Sequence, residues 1–116
     1  MVTTRGGVSA PNDCNNFVFL RGRLAAAPQT LELPSGDEIC SFRIVVDRNG
    51  PGRVKVDTVD CRTATRRVRG VLERAAPGAE LQVEGTLRRR FWRGVSGVQS
   101  RYEVDVSKVK TGRARG

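Results

Sequence analysis

The sequence predicts a small closed barrel of β-strands carrying a single helix. Several short segments alternate apolar and polar residues, turn-forming clusters separate them, and only one stretch repeats apolar residues at helical spacing. The chain has 116 residues, the length of one domain, and burying roughly two thirds of its unfolded surface would supply one modest core.

Residues 1–13, MVTTRGGVSAPND, have little to bury and read as a flexible arm. The domain proper spans residues 14–110 and opens with a strand over Phe17 to Leu24 that Gly22 interrupts. A glycine inside a strand marks a bend or a close backbone approach, as at a barrel corner. QTLEL is a short second strand, and PSGDE turns the chain. In ICSFRIVVD, Cys40, Phe42, Ile44 and Val46 face one way while Ser41, Arg43, Val45 and Asp47 face the other. RNGPG then predicts a hairpin. The returning strand places Val54 and Val56 on even positions but Val59 and Cys61 on odd ones, which predicts a bulge near Asp57-Thr58.

TATRRVRGVLERAAPG is the helical stretch, with Thr63 or Thr65 to cap it and Pro77-Gly78 to stop it. Leu81, Val83, Gly85 and Leu87 alternate along the next strand, RGVSGV turns, and Tyr102, Val104 and Val106 return on one face. Residues 111–116 read as a basic, unstructured tail. A helix set between the third and fourth long strands is the arrangement of the OB-fold, a five-stranded Greek-key barrel. An SH3-like barrel leaves the helix unexplained, and a ferredoxin-like sandwich wants a second one.

The net charge of +9 favours an anionic partner, and nucleic acid before membrane, because anionic membranes usually select basic amphipathic helices or lipid anchors and no apolar span is visible. Arginine outnumbers lysine 18 to 3. Arginine stacks on bases and grips phosphate with two hydrogen bonds, although an arginine-rich codon bias would give the same excess. Cys14, Cys40 and Cys61 show no Cys-x-x-Cys spacing, and the last two alternate with apolar neighbours, as small buried hydrophobes do. No signal peptide is apparent, so a cytoplasmic, nucleoid-associated location is expected. With no histidine and scattered carboxylates, neither catalysis nor a bound metal, cofactor or small-molecule substrate is expected.

The candidate site lies in LRRRFW. Arg88, Arg90 and Trp92 share one face of a strand, opposite the Leu81-Val83-Leu87 face, with successive side chains roughly 7 Å apart. That spacing suits phosphates meeting guanidiniums while a base lies on the indole. The competing possibility is that Trp92 closes a barrel end or an oligomer interface. Phe91, in the other phase, is expected in the core. Arg43 could line the same groove, Arg53 and Lys55 lie in a hairpin, and Arg62, Arg66, Arg67 and Arg69 form a second basic cluster at the strand-to-helix junction that could extend the phosphate path.

NFVFLRGRLAAAP, PSGDEICSFRIVVDR, AELQVEGTLRRRFW and RYEVDV together resemble bacterial single-stranded DNA-binding proteins (SSB) over about residues 16–109. The most specific pieces are Asn16, Val18, Leu20, Gly22 and Leu24, and the run from Val83 to Trp92. The resemblance implies an oligomeric OB-fold, commonly a tetramer but also conceivable as a dimer, that binds single-stranded DNA without sequence preference in replication, repair or recombination. It puts Trp92 on a stacking position, Arg88 and Arg90 on basic positions beside it, and Arg66 on a family lysine. Gly50, Thr58 and Ala64 stand where further stacking aromatics are usual, and Asp60 where a basic residue often sits. No acidic partner-recruiting tail is visible before the terminal GRARG. The departures motivate a second reading, an OB-fold scaffold that acts through protein contacts and binds DNA weakly; RNA is a third possible target.

Overall fold

Strand pairing closes the sheet on itself. The computed structural model describes residues 15–48, 50–52 and 55–112. The expected N-terminal arm, Cys14, Arg53 and tail residues 113–116 lie outside them. The elements run β1 (Val18–Leu24), β2 (Gln29–Glu32), β3 (Glu38–Arg48), β4 (Lys55–Thr63), α1 (Arg66–Arg74), β5 (Glu80–Gly94) and β6 (Gly97–Thr111). The sheet order is β1-β5-β6-β4-β3-β2, and β1 also pairs with β3. Five strands therefore form a closed barrel, with β2 added on the free side of β3. The chain has the OB-fold.

Closure depends on β1 serving two partners. Its first six residues pair with β5, and Arg23 and Leu24 pair with Val45 and Ile44 of β3. Gly22 sits at the changeover, where a methyl group would overlap the Val45 carbonyl oxygen. Gly85 makes a similar close approach to the Asp105 carbonyl. There β6 carries one extra residue: Gly85 pairs with Val106 but Glu84 with Lys108.

The alternating residues meet in the core as expected: Cys40, Phe42 and Ile44 from β3 pack with Cys61, Leu81, Val83, Val104, Val106 and Leu24. Helix α1 closes one end by inserting Val68 and Leu72. Thr63 fixes the strand-to-helix junction, since its buried hydroxyl donates to the Val106 carbonyl at 2.9 Å and accepts from the Thr65 amide at 3.1 Å. Burial pushes the Cys61 thiol up to about 12, with Asp60 and Glu103 adding to the effect. Burial also raises Cys40. Both behave as apolar filler.

Two expectations are corrected. No bulge interrupts β4 near Asp57-Thr58: its register against β3 is uniform from Arg48↔Lys55 to Cys40↔Thr63. Val56 simply points outward and is exposed, so its apolar character says nothing about phase. The strand also outlasts the expected domain end at residue 110, because Thr111 pairs with Leu81 and the Gly112 amide donates to the Glu80 carbonyl.

Candidate nucleic-acid interface

β5 and β6 are 15 residues each and outrun the barrel. Beyond Leu87 they continue as a two-stranded arm paired down to Gly94↔Gly97. Asn16 anchors its root: the side-chain amide donates to the Leu87 carbonyl at 2.9 Å, and its oxygen accepts from the Leu87 amide at 2.8 Å. These two bonds extend the β1–β5 pairing by a side chain acting as backbone, and they fix the residue before the arginine run.

Alternation sorts the arm into two faces. The outer face carries Arg88, Arg90 and Trp92 on β5, opposite Glu103, Arg101 and Gln99 on β6. Trp92 is 43% exposed, and the Arg101 guanidinium lies 5.6 Å from its ring centroid. One aromatic face is therefore already turned towards a cation.

Glu103 organises this face. It is 6% exposed, and three guanidiniums converge on it: Arg101 at 3.2 Å, Arg90 at 3.4 Å and Arg62 at 3.8 Å. Burial first, and then the charge of Arg90, pull the Arg62 guanidinium below its ordinary value. Arg88 approaches Asp105 at 3.8 Å, and Arg43 donates to Asp60 at 2.9 Å. Arg43, Asp60, Arg101 and Glu103 line one groove with Ala26 and Gln29. The predicted residues Arg43, Arg88, Arg90 and Trp92 thus stand on one connected surface, joined by Arg62 and Arg101. There five guanidiniums meet three carboxylates. The Arg88–Asp105 and Arg43–Asp60 pairs are largely exposed, the kind worth about 0–1 kcal/mol, so phosphate can replace the carboxylate there at small cost, whereas the three pairs to Glu103 hold a buried carboxylate in place.

The other predicted residues are placed elsewhere. Lys55 stands opposite Arg48 and belongs to the alternating set that begins inside the barrel with Val59, so it leaves the β3–β4 hairpin on the side away from Arg43. Arg66 and Arg67 are exposed in the first turn of α1, with no ion-pair contact linking them to the Trp92 face. Thr58, Gly50 and Ala64 are all exposed, open positions without a ring. Phe91 is a correction: it is 62% exposed, not core. Its phase points inward only while β5 belongs to the barrel, and at Phe91 the strand has left it.

The profile of the Single-strand binding protein family matches residues 15–111. The chain belongs to this family. Single-stranded DNA binding is its function at that level, and the family span covers both the barrel and the arm. A search of curated protein sequences gave no match. Among solved structures, this family member is similar to a Plasmodium falciparum SSB in complex with single-stranded DNA. The TM-score is 0.78 at 18% identity, over 90% of this chain and 100% of that one. At that identity the likeness concerns the barrel and its arm, not individual side chains.

Proposed function

We propose that the chain coats single-stranded DNA without sequence preference, running the backbone along the arginines of the outer arm face and stacking bases on Trp92. The observation that carries this is the exposed row Arg88-Arg90-Trp92 on an arm paired to its tip. A ring accepts any base, at about 1–3 kcal/mol per stacked base. Arg43, Arg62 and Arg101 extend the path into the adjoining groove, while Arg53, Lys55, Arg66 and Arg67 serve longer strands as flanking contacts. The action is binding without catalysis, in replication, repair or recombination on the cytoplasmic nucleoid. Self-association as a tetramer or dimer belongs to this reading, and the exposed Phe17 and Phe19 offer apolar surface for it.

Mobility shift of oligo-dT at increasing salt tests the proposal. With about five phosphates contacted at a single-strand slope of about −0.7 each, affinity falls about 100-fold between 50 and 200 mM salt. A salt-insensitive or undetectable shift would instead support the scaffold reading, which the ringless positions Gly50, Thr58 and Ala64 favour.

A further inference from the structure

The inner face of the arm is built differently from the outer one. It continues the core-facing phase as Leu87, Arg89, Phe91 and Arg93, opposite Val104, Tyr102, Ser100 and Val98. Phe91 and Tyr102 are 62% and 57% exposed. The Arg89 guanidinium lies 5.1 Å from the Phe91 centroid and 5.3 Å from that of Tyr102, and it donates to the Ser100 hydroxyl at 2.9 and 3.1 Å. Among the described residues no carboxylate lies within ion-pair distance of Arg89 or Arg93, whereas every outer-face arginine named above has one.

We infer that this face, Arg89 with Phe91, Tyr102 and Arg93, is a second binding site for single-stranded DNA, so that one strand passes over both sides of the arm. The inference rests on the outer-face reading. Two arguments favour a polynucleotide over a second copy of this chain. Apolar surface alone would suit either, but uncompensated guanidiniums amid the rings call for an anion, and a base with its phosphate supplies both a flat face and a charge. Continuity is the other argument. Phe91 and Trp92 are adjacent and project from opposite faces, so their rings sit at one level of the arm, and only the short tip Val95-Ser96 separates the two surfaces.

Ultraviolet crosslinking of oligo-dT, followed by mass mapping of the peptides, reads the ring contacts directly. Thymine adducts on Phe91 or Tyr102 as well as Trp92 are expected. In the double variant Phe91→Ala/Tyr102→Ala, which alters only exposed rings, dT of about 5 nucleotides should bind as before. Binding of dT of about 16 nucleotides, the upper range for one OB-fold, should weaken ten- to a hundredfold. Unchanged binding at both lengths with no adduct on either ring overturns the inference and leaves Trp92 quenching intact. A drop in assembly size by light scattering with unchanged DNA binding also overturns it, because the rings would then join two copies. Adducts on Phe91 or Tyr102 with Trp92 fluorescence unquenched would sustain this site and remove the outer one.

Discussion

Two hairpins leave the barrel, and they carry opposite surface chemistry. The β3–β4 hairpin has compensating carboxylates along it: Asp57 pairs with Arg48 inside the hairpin at 3.9 Å, and Asp47 with Arg23 of β1 at 3.2 Å. Along β5–β6, the stretch from Arg88 to Tyr102 holds five arginines and no acidic residue, with Phe91 and Trp92 among them. Both ribbons are formed by ordinary antiparallel pairing. One holds carboxylates along its length, paired within the hairpin and with β1, while the other takes carboxylates only from its root, at Glu103 and Asp105, and leaves its distal half cationic. Shape alone does not make a hairpin an anion-binding arm; the placement of compensating charge does.

Removing the indole should break this contrast most severely. Trp92→Ala is expected to weaken oligo-dT binding ten- to a hundredfold, the value of one stacked base at about 1–3 kcal/mol, with little change in salt slope. Fluorescence anisotropy with labelled dT measures both. Loosening the arm's root comes next. Asn16→Ala deletes both bonds to Leu87 and should cost about 1 kcal/mol, a fall of about 4–8 °C in Tm by calorimetry. An unchanged Tm would show that strand pairing alone holds the root. Arg88→Ala should reduce the salt slope by about 0.7, and an unaltered slope takes that side chain off the phosphate path. Smallest of all, Lys55→Ala on the compensated hairpin should change affinity for short strands by less than about twofold, because it removes at most one flanking phosphate contact. A loss as large as that of Trp92→Ala would erase the distinction between the two ribbons.

The barrel was legible because alternation reports burial wherever a strand is covered on one side. Cys40, Phe42 and Ile44 on β3, and Leu81 and Val83 on β5, face the core as their phase requires. Gly22 marked the corner for the reason found, a close backbone approach. The same logic fails where strands outrun the barrel. Val56 and Phe91 are apolar and exposed, so phase misassigned one as evidence of a bulge and the other as core. The actual irregularity, the extra residue in β6 opposite Glu84 and Gly85, left no break in the apolar pattern.

At the site, period two sufficed to put Arg88, Arg90 and Trp92 together, because all three lie on one strand. Arg101 was missed, and Arg62 was grouped with the cluster at the helix start and not with this face, because their meeting depends on the parallel β4–β6 contact and on Glu103, a buried carboxylate approached by three guanidiniums from three strands. No local pattern around Glu103 announces that burial. The one available signal was negative: Glu103 is the first acid after a long basic run.

The most direct test of the outer-face account uses the single tryptophan as its own probe. Titration with oligo-dT at 50 mM salt should quench Trp92 fluorescence to saturation, with the midpoint moving about 100-fold weaker at 200 mM as phosphate contacts are screened. DNA binding that leaves Trp92 emission unchanged would contradict it, because the strand would then lie somewhere other than on the indole.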